Sequence, residues 1–303
     1  MIGSRLAKQV VRTHEALSVL SKITALVPVD LAVAGPRRDR VFRVFDSLFG
    51  SLLRKDTLST PFGPMKVHWD HPPERLLSYL FHNVLRFYEK SELGLYLEEH
   101  AEPGATFLDI GANLGMYSLV ARRLGFKTVA IEPEPRHSAF LKRNADIYGD
   151  VLDVALSDAP GALPLYYNPE NPGATSLFPD PTYVKGDESV PVRTFSTLAA
   201  EGAFGDVSKI RIIKIDVEGF EAHVVEGMRS FLTAEHKPHI WCEVRGDRSG
   251  RNGGNYRRVH EILSGFGYQM KDTENRQIVS VDDDHLANQA VFDLLFTPPQ
   301  SSP

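Results

Sequence analysis

The segment of residues 106–119, TFLDIGANLGMYSL, constrains the fold more strongly than any other part of the chain. A short apolar run over residues 107–110 stops at Gly111, a second glycine follows at Gly115, and a helical apolar pattern begins at Met116. This order predicts a strand, a tight glycine turn and a helix. Glycine lets the backbone turn sharply and approach a ligand closely, while the new helix points unpaired N–H groups towards it. The segment therefore predicts a binding site for a nucleotide-like cofactor.

The spacing of the two glycines distinguishes between cofactors. The dinucleotide fingerprint G-x-G-x-x-G, placed from Gly111, needs glycine at two positions where the chain has Asn113 and Met116, which disfavours NAD and FAD. Residues 109–115 instead resemble, at every fixed position, the D-x-G-x-x-x-G turn with which class I methyltransferases hold the amino-acid end of S-adenosylmethionine (SAM). A glycine turn in another kind of α/β protein is the alternative.

Polar residues at the ends of the next two predicted strands fit the same cofactor. Glu132 lies 21 residues beyond the first glycine (132 minus 111). A carboxylate at this position can accept hydrogen bonds from the ribose hydroxyls of either SAM or NAD. The third strand is predicted over residues 150–156. Ser157 or Asp158, directly after it, could accept a hydrogen bond from the adenine amine. The alternative for these two residues is a helix cap or a turn.

Composition narrows the class of protein. The chain of 303 residues, 42% hydrophobic and 24% charged, can bury one large core or one core plus a small appendage. Cys242 is the only cysteine, which excludes an intrachain disulfide and favours a cytoplasmic location. No apolar run approaches the ~20 residues of a membrane span, and Lys22 and Asp30 interrupt any signal-peptide core. The net charge of −5 comes without a dense basic face, so no nucleic-acid partner is expected.

The N-terminal segment differs from the rest of the chain. Residues 1–60 carry ten Lys or Arg and five Asp or Glu, a balance of +5, and their apolar residues recur at helical spacing. We predict a helical extension with a small hairpin over residues 1–70, followed by a methyltransferase domain over residues 71–303. The basic helices either contact an anionic membrane surface or a charged substrate, or present a solvated face while they pack on the catalytic domain or on a homodimer mate.

A second chemical centre follows the strand predicted at residues 210–215. Its apolar residues are typical of a central parallel strand, and Asp216 lies at its carboxyl end, where open α/β sheets bind their ligands. Glu218 and Glu221 come at the mouth of the next helix. A raised pKa in one of these carboxylates would let it accept a proton from a hydroxyl group. The alternative is that Glu218 and Glu221 simply stabilise the helix N-terminus through its dipole.

Glu243 ends the next strand pattern and is expected to face Asp216 across the pocket. Two such acids could hold Mg²⁺, but no third oxygen ligand is evident, so no metal is predicted. Two other segments are candidate pocket walls. The proline-rich residues 163–187 predict an ordered loop that lines the pocket, and the glycine-rich residues 245–255 predict either a lid or a disordered turn.

Six motifs along the chain resemble the FkbM family of SAM-dependent methyltransferases: LDIGANLGMYSL, AIEPEP, VALSD, GATSL, IKIDVEGFEAHVVEGM and ANQAVFDLLF, over roughly residues 88–298. The resemblance implies an α/β, Rossmann-like, seven-stranded and mostly parallel sheet with helices on both faces, after the N-terminal helical extension. It also implies methyl transfer to an oxygen, commonly on a sugar, glycan or secondary metabolite. The SAM-binding residues that it implies are Asp109, Gly111, Asn113, Gly115 and Glu132. The chain departs from the family pattern in two places. It has Phe195-Ser196 where a Leu-Asp pair is frequent, and its N-terminal segment has no counterpart. Both departures bear on the identity of the acceptor and not on the cofactor.

The chemistry of methyl transfer assigns roles to the second centre. The protein must orient an acceptor hydroxyl behind the methyl group, exclude water and remove one proton. We predict Asp216 as the base or base-orienting group, Glu243 as its partner on the acceptor and Glu218 as a supporting carboxylate, with His223 as an alternative base. The partner is a small-molecule or glycan acceptor. An NAD-dependent reductase and a non-catalytic, SAM-binding or membrane-associated scaffold are the competing functions.

Overall fold

The computed structural model describes residues 56–68, 72–169, 174–179, 181–247 and 253–298. The predicted basic helices before residue 56 and the centre of the predicted lid lie outside these ranges, so membrane contact and lid closure stay predictions. None of the helices in these ranges is both long and apolar enough to cross a membrane. Backbone contacts divide the chain into two compact units, Met1–Phe87 and Tyr88–Pro303.

The described part of the first unit contains a hairpin and most of a long helix. Strands β1 (Thr57–Thr60) and β2 (Gly63–Lys66) pair antiparallel, and the Thr60 hydroxyl donates to the Gly63 carbonyl at 2.7 Å across their turn. Helix α1 (Pro72–Lys90) follows. The Glu74 carboxylate accepts from the backbone N–H of His68 at 2.6 Å, which fixes the connection between hairpin and helix.

The second unit is organised around a seven-stranded sheet. In spatial order its strands are β12 (Gln269–Asp272), β13 (Val291–Thr297), β11 (His239–Arg245), β10 (Ile210–Ile215), β3 (Thr106–Ile110), β4 (Lys127–Ile131) and β5 (Asp150–Leu152). The strands from β11 to β5 are parallel, and β13 runs antiparallel to both of its neighbours. This open, mostly parallel sheet confirms the predicted fold class.

The helices of the second unit cover both faces of the sheet. The side chains of β3 alternate between the two faces, and all of its residues are buried, so both faces are covered at this strand. After α1 these helices are α2 (Glu92–Glu99), α3 (Met116–Arg123), α4 (Pro135–Arg143), α5 (Ala145–Tyr148), α6 (Phe195–Ala200), α7 (Glu221–Glu226), α8 (Arg229–Leu232), α9 (Asn255–Gly265) and α10 (Asp284–Asn288). A short 3₁₀ helix, Val207–Lys209, precedes β10. Side chains of Ser91, Glu134 and Thr194 accept from backbone N–H groups in the first turns of α2, α4 and α6, which explains where these helices begin.

The prediction of a single third strand over residues 150–156 is wrong. The segment forms β5 in the main sheet and then β6 (Ala155–Leu156), which belongs to a different sheet. Asp153, between the two strands, is exposed and pairs with Lys142 at 2.6 Å. The chain leaves the main sheet at this point, because an exposed charged residue cannot continue a buried strand.

The prediction that residues 163–187 form an ordered loop is also largely wrong in its secondary structure. Most of its described residues belong to a four-stranded sheet of order β6, β9 (Val184–Arg193), β7 (Gly161–Tyr167) and β8 (Thr175–Ser176). The pairing of β7 with β9 shifts register between Pro164 and Tyr166. Proline has no N–H to donate to the ladder, so it is accommodated at such an irregularity. Proline content therefore misled the sequence interpretation.

Candidate active site

The glycine turn after β3 takes backbone conformations that few residues adopt. Gly111, Asn113 and Gly115 have φ angles of +77°, +53° and +72°. A Cβ atom on Gly111 would lie 1.8 Å from the carbonyl oxygen of Asp216, and one on Gly115 would lie 2.6 Å from the ring of Tyr148. Glycine is therefore required at 111 and 115 both by the backbone angle and by the close approach of neighbouring chain.

A cleft of about 650 Å³ opens beside this turn. Five of the predicted site residues line it: Gly111, Asn113, Glu132, Asp216 and Glu218. Its wall also contains residues of the second sheet, among them Leu165, Ser176 and Leu177, so the segment that was predicted to line a pocket does so. The cleft has the mixed apolar and polar lining of a cofactor site.

Glu132 is held by backbone donors at the cleft wall. Its Oε2 accepts from the N–H of Asn113 at 2.7 Å, and its Oε1 accepts from the N–H of Glu134 at 2.9 Å. Burial raises the pKa of Glu132 to about 7, although both N–H groups favour the ionised form. Each carboxylate oxygen has a further lone pair, so Glu132 is able to accept a hydrogen bond from a hydroxyl group of a ligand in the cleft.

Asp109 is buried beneath the turn. Its Oδ2 accepts from the backbone N–H and the hydroxyl of Ser118 at 3.1 and 2.8 Å, and its Oδ1 lies 3.3 Å from Nζ of Lys214. Ser118 lies in the first turn of α3, so these bonds connect β3 to the helix that follows the turn. The contacts of Asp109 in the structure thus shape the turn from inside the protein.

Ser157 and Asp158 follow Ala155 and Leu156, which line the cleft. The Ser157 hydroxyl donates to Oδ1 of Asp158 at 2.7 Å, and the Ser157 N–H donates to the carbonyl of Arg193 at 2.9 Å. The backbone bond continues the pairing of β6 with β9, so the predicted turn or cap role of these two residues stays a prediction. The contact with adenine stays a prediction.

Asp216, Glu218 and Glu243 form what we call the acidic rim: carboxylate oxygens of the three residues lie within 4.8 Å of one another. Oε2 of Glu218 pairs with Nη2 of Arg245 at 2.5 Å. The charge of Asp216, followed by burial, raises the pKa of Glu243 well above its ordinary value. The sequence gives no sign of a third oxygen ligand beside Asp216 and Glu243, whereas the structure brings Glu218 there.

Glu221 supports the acidic rim through the backbone. Its Oε1 accepts from the N–H groups of Val217 and Gly219 at 3.1 and 2.9 Å, and its Oε2 accepts from the amide of Asn255 at 2.5 Å. Burial raises the pKa of Glu221 to about 7. These bonds hold the turn that carries Glu218, whose φ of +58° is unusual for a residue other than glycine.

Lys214 is the residue that the sequence analysis missed. Its Nζ donates to the Gly111 carbonyl at 3.0 Å and lies 3.2 Å from Oδ2 of Asp216 and 3.3 Å from Oδ1 of Asp109. Burial lowers the pKa of Lys214, but Asp216 and Asp109 outweigh it and bring the pKa above its ordinary value, so the ammonium stays charged. A lysine within the otherwise apolar end of IRIIKI was the available signal.

The comparisons with known proteins agree with this geometry. The model of the methyltransferase FkbM domain matches residues 109–270. The methyltransferase sdnD of Sordaria araneosa is 30% identical over 155 residues, which cover 40% of this chain and 59% of that protein. The hexuronic acid methyltransferase AglP of Haloferax volcanii is 30% identical over 151 residues, which cover 48% of this chain and 58% of that protein. The chain thus spans less than two thirds of the length of either relative.

Among solved structures, the magnesium protoporphyrin IX methyltransferase ChlM of Synechocystis PCC 6803 with bound SAM is similar, with a TM-score of 0.40 and 10% identity over 86% of this chain and 96% of that chain. The residues of the cleft fit SAM because Gly111 and Asn113 bring the backbone of the turn to the cleft and Glu132 presents a carboxylate there. Since the family match covers more than half of the sequence, the chain belongs to the FkbM methyltransferase family, for which S-adenosylmethionine is the cofactor.

Proposed function

We propose that this methyltransferase acts on a hydroxyl oxygen of a sugar, glycan or secondary metabolite. The observation that carries the proposal is the place of the acidic rim: Asp216 and Glu218 line the cofactor cleft, and Glu243 lies against them. A hydroxyl acceptor must lose its proton when its oxygen is methylated, and carboxylates beside the cofactor provide a place for that proton. The name of the relative AglP, a hexuronic acid methyltransferase, supports a sugar as one acceptor class.

For the cofactor, we propose two sets of residues that differ in how they act. Gly111, Asn113 and Glu132 contact SAM directly, because all three line the cleft. Glu132 would accept hydrogen bonds from the ribose hydroxyls, with the lone pairs that its two backbone donors leave unused. Asp109 and Gly115 act through the shape of the turn, since their contacts in the structure are with Ser118, Lys214 and the packed ring of Tyr148.

When bound, SAM supplies a methyl group that its sulfonium activates for in-line displacement by an acceptor oxygen. We propose that the Asp216 carboxylate takes the hydroxyl proton or orients the hydroxyl group for its loss. Glu243, whose pKa is raised by Asp216, carries a proton at neutral pH and donates a hydrogen bond on the acceptor side. Glu218 is held in place by its ion pair with Arg245 and supplies a negative charge at one position. Together these residues hold the acceptor and hold the released proton.

Methyl-labelled SAM tests this proposal against a panel of neutral glycosides, hexuronates and a metabolite extract. We expect label in a product whose fragmentation by mass spectrometry places the new methyl group on oxygen. A product methylated on nitrogen or carbon would contradict the proposed reaction. SAM binding without transfer to any acceptor would favour the non-catalytic scaffold, and quenching of tryptophan fluorescence by NADH but not by SAM would favour the reductase.

A further inference from the structure

Lys214 connects the cofactor turn to the acidic rim. Its ammonium donates to the carbonyl of Gly111 and lies between the carboxylates of Asp109 and Asp216, at 3.3 and 3.2 Å. It also lies 5.7 Å from the centre of the Tyr117 ring, a distance at which a cation is attracted to the ring face. A single buried cation therefore contacts the part of the site that holds the cofactor and the part that we assign to proton removal.

The two carboxylates that pair with Lys214 are held to different degrees. Asp109 is fully buried and is fixed by two bonds to Ser118. The side chain of Asp216 is 32% exposed, and within the described ranges Lys214 is the one basic residue that forms an ion pair with it. The fully buried carboxylate thus lies on the cofactor side of Lys214, and the more exposed carboxylate lies on the rim side.

We propose that Lys214 is a positioning residue, which holds the Asp216 carboxylate in one orientation by anchoring it to Asp109 and the Gly111 carbonyl. The inference rests on the role proposed for Asp216 in proton removal. Lys214 does not touch the acceptor or exchange protons in this role. Its function is to make the direction of the Asp216 carboxylate depend on the geometry of the cofactor turn, so that the base and the methyl donor keep one relative position.

A purely structural role for Lys214 makes a different prediction. Removing the lysine leaves Asp109 buried without its countercharge, which destabilises the protein whatever happens at Asp216. Replacing Asp109 by asparagine removes that charge, while the amide oxygen is still able to accept from Ser118. The double variant K214M/D109N therefore separates the two roles, because it restores charge balance inside the protein but leaves Asp216 without its anchor.

We would measure thermal unfolding, kcat and the KM for SAM of the wild type, D109N, K214M and K214M/D109N, with the acceptor found by the labelled SAM screen. K214M should lower Tm, and adding D109N should restore most of it. We expect kcat of K214M/D109N to stay about a hundredfold below that of D109N, the scale of a positioned acid–base group, while KM for SAM changes by less than about fivefold. K237M is the matched control, because Lys237 also donates to a backbone carbonyl, that of Phe266, but lies outside the site.

Crystal structures of D109N and K214M/D109N with S-adenosylhomocysteine give a readout that needs no acceptor. We expect the Asp216 carboxylate to leave its place beside the Gly111 turn in the double variant and to keep it in D109N. Recovery of kcat together with Tm, or an unmoved Asp216 carboxylate, would overturn the inference. Neither outcome affects the proposed role of Asp216 itself, which fails separately if D216N retains its turnover.

Discussion

The cofactor turn and the acidic rim occupy one cleft but are built in opposite ways. The turn depends on backbone: Gly111 has no room for a side chain, and the Glu132 carboxylate is satisfied by two backbone N–H groups. The rim depends on side-chain charges: its carboxylates crowd one another and are balanced by Lys214 and Arg245. From this comparison we expect changes of charge at the rim to affect turnover more than SAM binding, and changes of backbone shape at the turn to affect SAM binding.

The largest expected effect tests the rim. Replacing Asp216 by asparagine preserves its shape but removes the charge, so we expect turnover to fall by about 10²–10⁴ with SAM affinity nearly unchanged, since a positioned base contributes on that scale. Initial rates with the identified acceptor and calorimetric titration of SAM measure the two quantities. D282N is the control, because Asp282 is an exposed acid paired with Arg257. Equal losses of binding and turnover would show that the turn and the rim are not separable.

The next effect tests the turn. Gly111→Ala and Gly104→Ala both place a side chain at positive φ, +77° and +84°, but only Gly111 meets a neighbouring atom, since nothing lies within 4 Å of a Cβ on Gly104. G104A should lower Tm by about 2–8 °C, which corresponds to the 1–2 kcal/mol of the left-handed conformation alone. G111A should lose more, and should weaken SAM binding by at least about tenfold. Equal Tm values for the two variants would mean that the turn is not tightly packed.

A smaller expected effect tests whether the crowded carboxylates of the rim lower the stability of the folded protein. The folded-state pKa of Glu243 is raised above its unfolded value, so the unfolded chain loses this proton first and the protein loses stability as pH rises above about 4.5. E243Q removes this titration. We expect its Tm to exceed that of the wild type by about 2–4 °C at pH 8, and by less at pH 5. E261Q, at an exposed salt bridge with Arg258, is the control. A Tm difference that is the same at both pH values would contradict the crowding of the rim carboxylates.

The smallest expected effect concerns metal ions. The proposed mechanism uses the rim carboxylates to hold a proton, so dialysis against EDTA should leave turnover within about twofold of the untreated protein. The three carboxylates are close enough to share a divalent cation, which gives this test its purpose. Loss of turnover that added Mg²⁺ restores would show that the rim acts on the acceptor through a cation. The rim would then differ from the cofactor turn in a second way, since it would depend on a bound ion as well as on side-chain charges.

Local patterns were sufficient to predict that the glycine turn and Glu132 meet at one place. The glycine spacing at 111 and 115 and the acid at the end of the next strand are short-range features, and the structure places Gly111 and Glu132 at one cleft. The motifs that resemble the FkbM family likewise implied the seven-stranded sheet. Sequence reasoning succeeds here because each feature is decided by residues that are neighbours in the chain.

Features that depend on distant residues could not be predicted. The pairing of Glu218 with Arg245 and the bond of Glu221 to Asn255 join residues 27 and 34 positions apart, and the strand pattern gives no information about side-chain partners. The four-stranded sheet was missed because its prolines are typical of loops, while its pairing depends on the partner strands. Lys214 was visible as a charge in a buried strand, but its three partners were not.

The exit of the chain from the main sheet after Leu152 has a consequence for how the cleft of this protein can be altered. Residues 155–193 carry the whole second sheet as one continuous insertion between the third and fourth parallel strands, and that insertion supplies Leu165, Ser176 and Leu177 to the cleft. Its length and side chains can drift without disturbing the order of the strands beneath it. The outer side of the cleft can therefore be exchanged as one block of sequence while the glycine bend that carries its inner side stays the same.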